Sequence, residues 1–210
     1  EGVPVDRRNL VWRAAELAGF SGAIQLEKNL PHGAGIGGGS SDAAAVLRHC
    51  GYAGDGAVLG ADVPVCKAAK AQRMQGIGEV LTPLSGWPVL HAVLVNPGVE
   101  ISTPEVFKAL NQKENSEMSG DPMGLSTAED VIAFLQGQRN DLEAQAQSVA
   151  PAITSVLDTL NGMPHCRLAR MSGSGATCFA LMDTAEHAAE AAQTIATEHA
   201  DWWVRPCVLS

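Results

Sequence analysis

Apolar and polar positions repeat with two different periods along this chain, and the switches between them mark its elements. Residues 9–17 put Leu10, Ala14 and Leu17 on one face, the spacing of a helix, with Asn9 placed to cap it and Gly19 to end it. Residues 23–28 alternate apolar and polar, the pattern of a half-buried strand. A glycine-rich run fills 31–42, and the alanine-rich 43–49 has strong helix propensity. The local order is therefore strand, glycine loop, helix. Short strands are expected over 63–66 and over 73–81, the second interrupted by Gly76 and Gly78.

Ser85, Gly86, Trp87 and Pro88 form a punctuation point, which divides the chain into residues 1–86 and 87–210. Beyond it, 89–95 reads as a strand, an apolar run broken only by His91. Thr103, Pro104 and Glu105 give a helix start with cap, first-turn proline and acid in order. Residues 114–127 are polar and contain Gly and Ser, so a loop is expected. Helices follow over 128–135 and 140–160, the latter breaking near Pro151. Strands are predicted at 166–171 and 177–182, a helix at 184–199 and a last strand at 202–208, placed on a sheet edge by Pro206. The order β, helices, β, β, α, β is that of a ferredoxin-like split βαβ.

Composition narrows the function classes. With 210 residues, 46% of them apolar, the chain can bury a sizeable core. No stretch reaches 18 apolar residues, so no membrane span is expected, and no signal peptide is visible at the start. Glu1 is not an initiator methionine, which leads us to expect a chain beginning partway into a longer product. The net charge of −9 argues against nucleic-acid binding, but a small anion responds to local dipoles rather than to total charge. The 5 cysteines are widely spaced and form no CxxC pair, which suits reduced thiols in the cytoplasm. The histidines show no ligand spacing, so no metal-ligating residues are expected.

The glycine loop carries the chemistry. Gly33, Gly35, Gly37, Gly38 and Gly39 precede a helix, and without Cβ atoms such a loop can take positive φ and let a ligand approach its backbone. Its N–H groups and the positive end of the following helix suit a phosphate, and Ser40 and Ser41 add hydroxyls for capping, phosphate or Mg²⁺. A ligand-free flexible turn is the bland alternative. The loop lacks the lysine of a Walker A sequence. Gly33, Gly35 and Gly38 do satisfy GxGxxG, with Asp62 downstream where a ribose-binding acid would stand. In a dinucleotide fold, however, that acid ends an apolar strand, and here the apolar Val63-Pro64-Val65 follows it.

The run KNLPHGAGIGGGSSDAA, from Lys28 to Ala44, resembles the ATP loop of the GHMP kinase superfamily. Further motifs follow in family order: LGADVP from Leu59, GIGE from Gly76, NPG from Asn96 with Ser102 and Thr103, NDLE from Asn140, and MSGSGAT from Met171. The closest pattern is that of the branch phosphorylating the 2-hydroxyl of 4-diphosphocytidyl-2-C-methyl-D-erythritol in the non-mevalonate isoprenoid route. Homoserine or mevalonate kinases, which usually carry GLGSSAA-like loops, and a catalytically silent ligand sensor of the same fold are the alternatives.

The resemblance implies an α+β kinase with two domains. The first is like ribosomal S5 domain 2, the second is ferredoxin-like, and the co-substrate is ATP with Mg²⁺. It assigns ATP binding to Lys28, Pro31, Gly33, Ala34, Gly35, Ile36, Gly37, Gly38, Gly39, Ser40 and Ser41, and catalysis to Asp62 as the base that deprotonates the alcohol. Thr103, Gly173, Ser174, Gly175 and Thr177 would support the substrate cleft. From the residues alone, Asp62 reads equally as a cap, the glycines of 173–177 as a hairpin turn, Thr103 as a cap, and Asn140 as a cap and no more. A small-molecule substrate, no nucleic acid or membrane, a monomer or weak homodimer, and a bacterial cytosolic location complete the expectation. The family's N-terminal segment, with a PAKINL-like lysine and a Tyr-His pair, has no counterpart here. Residues 50–56 also stand where part of a helical connection is expected, and segments of the parent protein outside this sequence are the favoured explanation.

Overall fold

A computed structural model describes residues 3–31, 33–112 and 114–210. The chain divides into two compact units, one of Glu1–Asn29 with Gly37–Ser85, the other of Leu30–Ile36 with Gly86–Ser210. The division falls within the glycine loop, so each half of that loop packs with a different unit. His32 of the loop motif lies outside the described residues.

In the first unit, α1 (Leu10–Leu17) starts where the sequence places it, with the Asn9 side chain accepting from the Val11 amide. The helix α2 (Gly38–His49) follows the glycines. Its Ala43, Ala44 and Leu47 pack with Ala14 of α1, Leu59 and Val63 into a small core. Alanines at this seam bring the two helices close, which is why a core made of few large side chains can still exclude water.

Three expectations fail here. Residues 23–28 form no strand and are mostly exposed. Their alternation is real, but a strand needs a hydrogen-bonding neighbour, and among the described residues none pairs with them. Residues 63–66 are helical, in α3 (Val63–Ala68), because Pro64 in the first turn favours helix φ and Asp62 occupies the preceding cap position. Residues 73–81 are a hairpin rather than one strand: β1 (Gln72–Gln75) pairs antiparallel with β2 (Val80–Pro83), and Gly76 and Gly78 take the positive φ of its turn.

The second unit is a four-stranded antiparallel sheet in the order β4-β5-β3-β6, from β3 (Leu90–Asn96), β4 (Cys166–Met171), β5 (Cys178–Met182) and β6 (Trp203–Leu209). This is the expected ferredoxin-like order, and the Pro206 strand does lie on an edge. Alternation sorts the side chains. Val93, Val95, Cys178, Ala180 and Met182 face a core shared with α7 (Ala152–Gly162) and α8 (Ala185–Glu198). Leu90, Ala92 and Leu181 face Val131 and Ile132 of α5 (Ala128–Gln136). Pro151 separates α6 (Glu143–Val149) from α7. The first helix of this unit, α4 (Thr103–Lys108), has Ser102 rather than Thr103 at its cap position. No helix is long and apolar enough to cross a membrane among the described residues. All 5 cysteines are free thiols.

Candidate active site

Gly33, Gly35 and Gly37 all take left-handed φ, at 59°, 70° and 65°. The reason differs by position. A Cβ on Gly33 would meet nothing. A Cβ on Gly35 would press on the Gly175 carbonyl oxygen and come within 2.9 Å of the Ser172 carbonyl oxygen. Gly35 is thus glycine both for its φ and because another backbone occupies the space.

That other backbone is the turn joining β4 to β5. The Ser172 hydroxyl donates to the Gly35 carbonyl at 3.0 Å, and the Thr177 amide donates to the Ala34 carbonyl at 3.3 Å. Gly173 and Gly175 have positive φ, and a Cβ on Gly173 would lie 3.0 Å from the Gly35 carbonyl oxygen. In the second unit, then, Gly33–Ile36 is seated on residues 172–177, and the glycines at 173 and 175 do more than turn a hairpin.

The turn is itself held from below. Ser174 and Thr177 are buried, and each has a side-chain partner. Thr103 and Ser174 share a hydroxyl hydrogen bond of 2.7 Å, so Thr103 binds the turn instead of capping a helix. Asn96 donates to the Thr177 hydroxyl at 2.9 Å and accepts from the Gly98 amide. Asn140 donates to the carbonyls of Met171, at 3.0 Å, and Gly173, at 2.9 Å, while its own carbonyl accepts from the Leu142 amide. Glu143 accepts from the Met171 amide at 2.8 Å. The sequence reading left Asn140 as a cap and did not single out Glu143 or Asn96. The available signals were that Asn140 and Glu143 share the NDLE motif, which leads into α6, and that Asn96 opens the NPG motif.

In the first unit, α2 opens at Gly37 with no side-chain cap on its first amides. Among the described residues, Gly38, Gly39 and Ser40 therefore begin the helix without a side-chain acceptor, the condition for an anion site. Lys28 forms an ion pair of 2.5 Å with Asp42 on this helix, so the charge of Lys28 is already matched. Pro31 and Ile36 belong to the second unit.

Asp62 is exposed and occupies the cap position of α3 without making a side-chain cap bond. Capping, the bland reading, is therefore not what its carboxylate does. Cys66 ties Asp62 to the helix start. Its Sγ lies 3.7 Å from where a Cβ on Gly37 would be. Burial pushes the Cys66 thiol up, and the Asp62 charge pushes it the same way, so the two side chains feel each other. Asp62, one turn before Cys66 on α3, and Gly37, at the start of α2, are thus both neighbours of Cys66. Sequence reasoning missed Cys66 because a single cysteine among aliphatic residues carries no signal of its own.

The chain matches the GHMP kinases N terminal domain over residues 9–74 and the GHMP kinases C terminal domain over residues 112–201. It is 57% identical, over 99% of its length and 75% of the relative's, to the 4-diphosphocytidyl-2-C-methyl-D-erythritol kinase of Dinoroseobacter shibae. With the kinase of the same name from Cereibacter sphaeroides it shares 50% identity, over 97% of this chain and 77% of that one. Among solved structures it is similar to a 4-(cytidine 5'-diphospho)-2C-methyl-D-erythritol kinase, with a TM-score of 0.74, 31% identity, and coverage of 99% of this chain and 80% of that one. A homoserine kinase from Cytophaga hutchinsonii, at 16% identity, 100% and 78% coverage and a TM-score of 0.65, shares the fold. A glycine loop that leads into a helix without a side-chain cap, a ferredoxin-like sheet, and sequence matches in both halves have one common source: the chain belongs to the GHMP kinase family.

Proposed function

We propose that this chain transfers the γ-phosphoryl group of ATP to the 2-hydroxyl of 4-diphosphocytidyl-2-C-methyl-D-erythritol, in keeping with relatives named as kinases of that compound. The observation that carries the chemistry is an exposed carboxylate with no capping duty, sharing a neighbour with an uncapped helix start. The main-chain amides at the start of α2 hold the phosphates. Asp62 accepts the proton of the alcohol as its oxygen attacks the γ-phosphorus, and the bond to the bridging oxygen breaks to release ADP. Transfer is direct, without a phosphoenzyme. Mg²⁺ bound with ATP supplies neutralisation of the phosphate charge, and the hydroxyls of Ser40 and Ser41 on the first turn of α2 are hard oxygen donors of the kind it takes. Gly33, Ala34, Gly35 and Ile36, seated on the turn that Thr103 supports, form the first half of the glycine loop. Lys28 and Pro31 flank the nucleotide. The reading carries with it a cytosolic monomer or weak homodimer.

The test is ADP release by the full-length protein. ADP should appear only when the cytidylyl substrate is present, together with a new phosphate monoester by phosphorus NMR. Asp62→Asn should lower kcat by about 10²-fold or more, the usual weight of a general base, while ATP still binds. ATP binding without turnover would identify a ligand sensor, turnover with homoserine a different kinase, and full activity of the Asn variant would remove Asp62 from the mechanism.

A further inference from the structure

The kinase reaction gives no task to the GIGE motif, which forms the turn between β1 and β2. Among the described residues, none of β1 or β2 belongs to the core of the first unit. Their residues are half-buried or exposed, and a two-stranded hairpin alone is marginal in water. The turn is nonetheless tightly built. Gly76 and Gly78 have φ of 67° and 105°. The Glu79 carboxylate reaches back to accept from the Ile77 amide at 2.6 Å, and a Cβ on Gly76 would strike that carboxylate. Ile77 is 84% exposed, so the turn is not shaped to bury its own apolar side chain. What it buries is Gly78, which has exposed residues on either side.

A Cβ on Gly78 would lie 3.0 Å from the Ala61 carbonyl oxygen and 3.3 Å from the Ala61 Cβ. The turn therefore rests on the residue that precedes Asp62. We propose that Gly78 and Glu79 are positioning residues for Asp62, the GIGE turn being the stop that sets the direction of its carboxylate. The inference rests on the reading of Asp62 as the base. Gly78 makes the contact, and Glu79 keeps Gly78 in place.

Three features favour positioning over a plain surface turn. First, the Ala61 carbonyl and the Asp62 amide share one planar peptide, so a contact on that oxygen orients the plane from which Asp62 departs. Secondly, Asp62 depends on its backbone for direction. Its carboxylate makes no side-chain cap bond, and on its far side the Cys66 amide donates to the Asp62 carbonyl at 3.1 Å. The helix α3 thus fixes one side of the residue, and the turn is placed to fix the other. Thirdly, a surface turn needs glycine at 78 for φ alone, whereas here the space of the missing Cβ is bordered by Ala61. Glu79 acts one step further back. Its bond to the Ile77 amide closes the turn, together with the Gly78 amide donating to the Gln75 carbonyl at 3.2 Å. Glu79 is exposed, so it can be exchanged without opening the core.

The experiment measures kcat and KM of the full-length protein with ATP and 4-diphosphocytidyl-2-C-methyl-D-erythritol. Glu79→Ala should lower kcat about 10-fold, where a misplacement of about 1 Å costs about 10²-fold, and leave the KM for ATP unchanged. Glu79→Gln, whose amide oxygen can accept the same bond, should lose about 3-fold at most. Gly78→Ala, which pushes directly on Ala61, should lose at least as much as Glu79→Ala. The deciding comparison is a double-mutant cycle with Asp62→Asn. A residue that works through Asp62 has nothing left to position in the Asn background, so Glu79→Ala should cost no further activity there. Native kcat in Glu79→Ala, equal losses from Glu79→Ala in both backgrounds, or a loss carried by the KM for ATP overturns the proposal. So does loss of the folded circular dichroism spectrum in both Glu79→Ala and Gly78→Ala, which would make the turn a prop of the fold. Full activity of Asp62→Asn would refute the base assignment and this inference with it, whereas a loss there beside native kcat in Glu79→Ala refutes the inference alone.

Discussion

Exchanging Gly35 for alanine separates two reasons for a glycine, because Gly33 supplies the control. Both residues have positive φ, so alanine at either pays a left-handed penalty of about 1–2 kcal/mol. Only at position 35 does the new methyl group collide with backbone, at the carbonyl oxygens of Ser172 and Gly175. Relief means lifting the segment off the turn, which breaks the Ser172-to-Gly35 and Thr177-to-Ala34 hydrogen bonds. At about 0.5–1.5 kcal/mol each, these add about 1–3 kcal/mol to the strain common to both variants. With 1.4 kcal/mol per tenfold, Gly35→Ala should lose about 5- to 100-fold more kcat/KM for ATP than Gly33→Ala. The assay is steady-state ADP release, with thermal melts to confirm that both variants fold. Equal losses in the two variants, or near-native activity of Gly35→Ala, would show that seating the loop on residues 172–177 does not matter to catalysis.

Two further outcomes follow from the same contacts. Asn140→Asp keeps the shape but replaces a donor shared by the Met171 and Gly173 carbonyls with a negative charge facing them. It should lower Tm by several degrees, at about 2–4 °C per kcal/mol for a chain of this size, and more than Asn140→Ala does. Melts that rank the two variants the other way would contradict a donor role. Burial, with the Glu143 charge second, pushes the Cys178 thiol up to about 12. A folded value above the unfolded one leaves stability intact below about pH 9 and erodes it as pH rises towards 12, because only the unfolded chain gains by ionising. Denaturant melts across that window should show a shallower alkaline decline in Cys178→Ala, and iodoacetamide at pH 8 should leave Cys178 unmodified in native protein by mass spectrometry.

Elements whose partners are close in sequence, or whose faces are strongly patterned, were legible from the chain. The run from β3 to β6 came out in order because β3 and β5 are short apolar runs and α5 and α8 each follow a capping threonine, Thr127 and Thr184. Residues 63–66 misled because Val-Pro-Val-Cys has β-branched residues at both valines, yet the proline after Asp62 sets the helix. Residues 23–28 misled because alternation records which side is apolar and says nothing of what lies alongside. In the site, the motifs were visible but their connections were not. Nothing in the sequence joins Asn140 to Met171, or Thr103 to Ser174, since both contacts depend on the sheet bringing distant segments to one turn.

The electrostatics explain how a chain with net charge −9 can hold a triphosphate. Lys28 is already paired with Asp42, and Arg48, in the last turn of α2, donates to the Cys66 carbonyl, so both side chains have protein partners before any ligand arrives. Attraction must then come from main-chain dipoles, which act only within the first helical turn. That range makes the neighbours of Gly37 decisive. A thiolate at Cys66 would put a second anion there, in competition with phosphate. Burial and the Asp62 charge both raise its pKa, so the sulfur stays neutral and Asp62 is left as the acidic group of that cluster. The carboxylate that suppresses ionisation of the thiol is the one proposed to take the alcohol proton, so replacing Asp62 by asparagine should also leave Cys66 easier to ionise and faster to alkylate. An alkylation rate unchanged in that variant would mean that the two side chains are not coupled as the geometry requires.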